Sequence, residues 1–368
     1  MPMKAVRQTN QANVPLRSTA TDAPPGPIIP IEVRAARWRD LLSLHAIDQR
    51  YSLDFPHGLC TESNPAIVGL RHLMPLTRHD QPLFVARADR RLVGYAQFEV
   101  VGPDQRWMLQ GVGSNMGIYE AEPIWEELFH FAVVSAGLDG TKRLYARIPV
   151  GAPVVGPARR VGFSSYVTES IWAASLVPVT RGNRRVRRQQ QSDVWSIHQL
   201  YLASVPRQIQ YAEALTSHSW DVTTQQLAGS ATCQGWLVED GHMISAYARV
   251  VSHSTAHSIE VLVDPEHRET FPDLLATVFA ELGRKPARRV YLALRGYQSE
   301  LADILQGFGL VLQLEQDVYI KHTTVSSWSP TINLSPFAAD VKEPSAKRVP
   351  TFMHGSPSDS SSETAGSQ

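Results

Sequence analysis

Glu260 and Tyr297 are the two side chains of this sequence whose type and setting best suit proton transfer. Glu260 interrupts the apolar run Ile259-Glu260-Val261-Leu262-Val263, and Tyr297 stands where a strand gives way to a helix. A carboxylate can take a proton from a nucleophile and a phenol can return one to a leaving group, directly or through water. Each also has a plainer reading. Polar alternation is normal on a half-buried strand, and a tyrosine beside a helix start can simply be packed. Gly111 and Gly113 could form a bulge that exposes a backbone N–H, or could end a strand at a turn. His253, His257 and His267 lie close in sequence, but Ser-rich surroundings make the first two read as a solvated turn, and no metal is expected. No serine or cysteine nucleophile signature stands out, so hydrolysis is not a serious rival.

The elements that must position these residues centre on Gly235 to Asp264. This stretch reads as three short strands, broken at Glu239-Asp240-Gly241-His242 and again between Ser252 and Ser258. Asp-Gly between apolar runs is a hairpin signal, because glycine supplies the positive φ of a tight turn. The last strand then meets Asp264-Pro265-Glu266 and an amphipathic helix striped by Leu274, Leu275, Val278, Phe279 and Leu282. The pattern has an earlier echo. Asp89 answers Asp240, Leu92-Val93-Gly94 answers Met243-Ile244-Ser245, Tyr145 answers Tyr291, and Gly162-Phe163 answers Gly309-Leu310. Separations that stay at about 150 residues over several elements indicate a duplicated domain.

Composition sets the bounds. The chain has 368 residues, enough for two ordinary domains, and 43% apolar with 19% charged residues is globular usage. Lys plus Arg and Asp plus Glu are 35 each, so no global field recruits nucleic acid or an anionic membrane. The Arg181, Arg184, Arg185, Arg187, Arg188 run reads as a charge-protected sheet edge rather than a nucleic-acid surface. Two cysteines, Cys60 and Cys233, suggest a reducing compartment, and no apolar segment reaches spanning length, so a cytoplasmic location is expected. Residues 1–29 read as a flexible leader, 30–176 and 184–322 as the two domains, 177–183 as a linker, and 323–368 as a disordered tail. Helices are expected over Trp38 to Tyr51, Asn64 to Leu76, Pro123 to Gly137 and Pro272 to Gly283.

The element order β-α-α-β-β-β-α-β-α-β, with Val263-Asp264-Pro265-Glu266-His267-Arg268 at the exit of the fourth strand, resembles the GNAT superfamily of N-acyltransferases. The resemblance implies an α/β class, an α+β mixed sheet in two tandem domains. Each would be mostly antiparallel, with the fourth and fifth strands splayed and flanked by helices. It implies acetyl-CoA or another acyl-CoA in the notch between those strands and a small amine as acceptor. Glu260 would be the base and Tyr297 the proton donor. Val261, Val263, Arg268, Glu269, Thr270 and Phe271 would hold the donor, with its pyrophosphate at the start of the following helix. Where the family has a glycine-rich loop, this chain reads Glu269-Thr270-Phe271-Pro272-Asp273. No tyrosine stands four residues before Gly162 or Gly307, where the family keeps its acid. An inactive tandem module that binds a ligand or a protein partner is therefore the alternative to a slow acyltransferase. The second half, with the better preserved exit, is expected to carry the site.

Overall fold

The computed structural model describes residues 30–60, 81–101, 106–222, 231–241 and 243–323. The expected leader, the Asn64 to Leu76 helix and all but the start of the tail lie outside the described residues. The strands are β1 (Glu32–Ala35), β2 (Gln49–Ser52), β3 (Leu83–Ala88), β4 (Arg91–Val101), β5 (Arg106–Ser114), β6 (Arg143–Pro149), β7 (Ser164–Ala174), β8 (Val186–Arg188), β9 (Thr232–Asp240), β10 (Met243–Ser252), β11 (Ala256–Val263), β12 (Arg289–Arg295) and β13 (Val311–His322).

They form one mixed sheet in the order β1-β3-β4-β5-β6-β13-β7-β12-β11-β10-β9-β8, with β2 added on β5. The pairs β5/β6 and β11/β12 are parallel. A parallel pair needs a crossover, and the helices Ile118–Leu138 and Phe271–Leu282 supply the two. Each half gives up its last strand. β13, from the end of the chain, lies between β6 and β7, while β7 pairs with β12. The halves therefore interlock through one continuous ladder.

The duplication is visible atom by atom. Arg34 donates to Asp40 at 2.7 and 2.9 Å while the Arg37 amide donates to the same carboxylate at 2.7 Å. Arg187 repeats this on Asp193 at 2.7 and 2.8 Å, with the Gln190 amide at 2.6 Å. Each carboxylate caps the turn that opens a helix, satisfying amides that have no partner within it. Gly162 and Gly309, before the last strands, both take positive φ, 95° and 80°, which glycine adopts without steric cost.

Two layers cover the second half's sheet. Leu274, Leu275, Val278, Phe279 and Leu282 of the Phe271–Leu282 helix pack with Ile259, Val261 and Val263 on one face. On the other, Ile197, Leu200 and Tyr201 of the helix Val194–Ser204 pack with Leu237, Tyr247 and Leu262. Alternate side chains of a strand point to opposite faces, so Glu260 shares the Leu262 face.

The first half departs from expectation at two places. Trp38 to Tyr51 is not one helix. It is a single 3-10 turn (Trp38–Asp40), a short helix (Leu41–His45) and then β2. Of the apolar residues Trp38, Leu41, Leu42, Leu44 and Ile47, which would stripe one face of a helix, only Leu44 and Ile47 are buried, while Trp38 and Leu42 are exposed. Ladder partners on β5 outweigh the helical preference of Gln49 to Ser52. The helix expected from Pro123 begins earlier, at Ile118, and carries Pro123 as its sixth residue, where the proline forgoes one intrahelical hydrogen bond.

Candidate functional site

In the second half the β11/β12 ladder stops at Glu260 and Ala293. Beyond that point β11 stays with β10 as far as Val263, and β12 stays with β7 as far as Arg295. The two strands thus part and leave a notch. The Asp264 amide donates to Ser245 O at 2.9 Å and the His253 amide to Ala256 O at 2.9 Å. Even-numbered residues of β11 therefore bond to β10, and alternation turns the backbone groups of Val261 and Val263 toward β12 and the notch. Gln298, buried just past β12, donates to Val261 O at 3.1 Å and fixes one edge of the opening.

A cavity opens to solvent beside Glu260 and the end of β12. Its walls include Tyr201, Trp220, Tyr247 and Tyr297, and three arginines: Arg147, Arg249 and Arg295. The arginines are held by carboxylates. Arg147 lies 2.7 Å from Asp54, 3.1 Å from Glu169 and 3.9 Å from Glu260. Arg249 pairs with Glu260, Arg295 pairs with Glu213, and Arg295 lies 3.4 Å from Glu169. Tyr201 donates to Glu213 at 3.0 Å, and Gln316 donates to Glu169 at 2.9 Å. Asp54 and Arg147 belong to the first half, so both halves build this wall.

Glu260 stands where the sequence placed it, on the notch strand and facing the cavity. Its side chain is 42% exposed, against 2% for Glu169 and 6% for Glu213. Arg249 beside it, helped by Arg147, outweighs the cost of burial and lowers its pKa to about 2. A carboxylate so held carries its charge firmly and has little basicity. Tyr297 lines the same cavity, and burial pushes its phenol up to about 12. It keeps its proton at neutral pH.

The remaining donor-holding positions follow Val263. Arg268, Glu269 and Thr270 form a 3-10 turn, and Thr270 caps the Phe271–Leu282 helix. Arg268 is engaged by Glu300 at 2.6 Å, the Thr270 hydroxyl donates to His267 O at 2.7 Å, and the Phe271 side chain is fully buried. Pro272 has no N–H to offer, and Glu269 and Asp273 bring negative charge to the helix start. These residues do not fit a diphosphate, which needs converging backbone donors.

The first half's notch is filled by the chain itself. The β5/β6 ladder ends at Leu109 and Ala146, after which β2 runs antiparallel along Gly111 to Ser114. The Leu53 amide then donates to Gln110 O at 2.8 Å and the Asp54 amide to Arg147 O at 3.1 Å, spanning both strands. A Cβ on Gly111 would approach Tyr51 O to 3.0 Å, and one on Gly113 would approach Gln49 O to 3.0 Å. These glycines admit β2, and neither ends the strand; the bulge beside them falls at Gln110, between Leu109 opposite Phe98 and Gly111 opposite Gln97. By ladder position Gln110 answers Glu260, and it is spent on Asp54 at 2.9 Å.

The histidines also differ from expectation. His253 and His257 are buried, and burial lowers each pKa to about 4. His253 meets the His57 ring at 5.2 Å, and His257 Nδ1 lies 2.9 Å from Ser252 Oγ. Among the described residues no group of His, Cys, Asp and Glu could hold a metal ion. The arginine run ends in β8, the outer strand, where Arg187 pairs with Asp193 and Glu239. Arg147, Arg249, Arg295, Glu169 and Glu213 were not singled out in the sequence. For Arg147 and Arg249 the signal is charge inside apolar strands, as in Tyr145-Ala146-Arg147-Ile148 and Tyr247-Ala248-Arg249-Val250, whereas Glu213 ends the helix Arg207–Glu213.

No family model matches the chain, and no curated protein matches it in sequence. Solved structures do resemble it. A GCN5-related N-acetyltransferase from Sphaerobacter thermophilus superposes with a TM-score of 0.52 at 13% identity, covering 80% of this chain and 96% of that one. The chain has the GNAT fold. A tandem GNAT protein from the clavulanic acid biosynthesis pathway gives 0.47 at 13% identity over 80% of this chain and 99% of that one. An acetyltransferase described as putative, from Pyrococcus horikoshii, gives 0.47 at 9% identity over 87% and 94%. Within the GNAT fold, the parting of β11 and β12 after Glu260 is the splay of the fourth and fifth strands. Among the described residues no helix is long and apolar enough to cross a membrane.

Proposed function

We propose that this protein is an N-acyltransferase that moves an acyl group from a thioester to a small amine, both meeting at the second notch. One observation carries the reading: of two equivalent notches, the first is filled by β2, whereas the second opens beside a cavity that holds Glu260 and Tyr297. The backbone of Val261 and Val263 suits an extended acyl-pantetheine arm, which is itself a chain of amides. The turn at Arg268 to Phe271 does not suit the nucleotide of acyl-CoA, so the affinity for such a donor rests on its arm.

In the reaction the amine nitrogen bonds to the acyl carbon as the C–S bond breaks. Glu260 receives the acceptor as an ammonium ion, because a permanently charged carboxylate holds a cation well. The ammonium first gives one proton to water in the cavity mouth, which frees the nitrogen lone pair for attack. Tyr297, still protonated, then gives its proton to the departing thiolate and is restored by the second proton that the nitrogen sheds as the amide forms. Glu260→Gln keeps the shape and removes the charge. With acetyl-CoA and a panel of primary amines, it should lower kcat/KM by about 10²-fold or more, and Tyr297→Phe should cost less. Full activity of Glu260→Gln on an acceptor used by the parent protein would refute the assignment.

A further inference from the structure

We infer that the acceptor held beside Glu260 and Arg249 is an α-amino acid with an apolar or aromatic side chain. The inference rests on the proposed acyl transfer only in calling this molecule the acceptor; its binding is a separate matter. The first argument is electrostatic. Glu169, Glu213 and Glu260 line the cavity together with Arg147, Arg249 and Arg295. The most exposed of these side chains are Glu260 at 42%, Arg249 at 22%, Arg295 at 20% and Arg147 at 17%, against 2% and 6% for Glu169 and Glu213. A simple amine would meet the guanidinium groups as well as Glu260. A simple carboxylic acid would have to lie against Glu260. A molecule that carries both charges satisfies both kinds of wall.

The second argument is distance. Glu260 and Arg249 are in direct contact, and Arg147 is only 3.9 Å from Glu260. The ligand's opposite charges must therefore be neighbours too, as on the two substituents of one α-carbon and not at the ends of a long ω-amino acid. Arg249 is also held in place for the task. Nη1 donates to Ser219 O at 3.2 Å, Nη2 donates to Glu260, and the guanidinium lies over the Trp220 ring at 5.8 Å, so the Arg249–Glu260 pair is fixed at the cavity wall with little left to order. The third argument is the rest of the wall. Leu215, Tyr201, Trp220, Tyr247 and Tyr297 line the same space, and they offer apolar and ring surface to whatever the α-carbon bears.

Titration calorimetry on the whole chain without any thioester tests this, with four probes: L-phenylalanine, L-phenylalaninamide, phenethylamine and N-acetyl-L-phenylalanine. L-Phenylalanine should bind, and each probe lacking one charge should bind at least about 10-fold more weakly, because it gives up a charge-assisted contact with one side of the Glu260–Arg249 pair. Arg249→Lys, which keeps the charge and loses the fork, should weaken L-phenylalanine more than phenethylamine. Equal binding of phenethylamine and L-phenylalanine would overturn the inference, as would no binding of any probe at millimolar concentration. Binding of the amino acid with no acylation by any thioester would defeat the proposed reaction and leave this inference standing. Acylation of plain amines without preference for the zwitterion would do the reverse. The probe panel decides even if Arg249→Lys does not fold.

Discussion

Replacing Glu169 by leucine should destabilise the protein by about 3–5 kcal/mol, the usual effect of removing one partner from a buried ion pair. Glu169 sits on β7 with its side chain 2% exposed, 3.1 Å from Arg147 and 3.4 Å from Arg295, and it also accepts from Gln316. Leucine fills the space but leaves two guanidinium groups facing each other across the strand with one fewer anion. Asp54 and Glu213 still compensate part of the charge, which keeps the loss within that range. Equilibrium unfolding in urea measures it. Because β7 lies between β13 and β12, the effect should appear as one cooperative transition at lower urea. A loss below about 1 kcal/mol would mean that Glu169 does not bind the arginine pair together.

Separating the halves should have a larger effect still. Residues 30–176 alone would keep β7 but lose β13, the strand that joins it to β6. Residues 184–323 alone would lose β7 and leave β12 with an open edge. An unpaired, apolar central edge exposes backbone groups that have no other partner and invites aggregation. Each half produced alone should therefore be insoluble or unfolded, and the two produced together should recover a soluble one-to-one complex. Circular dichroism and size-exclusion chromatography read both outcomes. A half that unfolds cooperatively by itself would contradict the interlocked sheet.

The sequence carries the duplication in side chains that local geometry demands. Asp89 and Arg90 take positive φ at one hairpin and Gly241 does so at the other, and Gly162 and Gly309 do so before the last strands. Glu260 is legible for a different reason, as the one carboxylate within the apolar run Ile259 to Val263. The strand exchange is not legible. An alternating strand states which face is buried but not which neighbour it pairs with, and β7 and β13 come from the same position of each repeat. The same ambiguity hid β2. Gln49 to Ser52 carries no strand signature of its own, and its conformation comes from the ladder that Gly111 and Gly113 admit. The arginine and carboxylate cluster could not be assembled from sequence either. Its members come from β6, β7, β10, β11, β12 and the segments around Asp54 and Glu213, and only the folded sheet puts Arg147 beside Glu260.

The central claim is that the second notch, and not the first, is the site of acyl transfer. Hydrogen exchange on the whole chain with and without acetyl-CoA tests it most directly, because a ligand that binds the native state protects the amides it orders. The account predicts added protection over Ser258 to Val263 and Leu294 to Gln298, with the amides of Gly111 to Ser114 unchanged because β2 already holds them. Protection confined to residues 107–114 and 144–149 would place the ligand in the first notch and contradict the account.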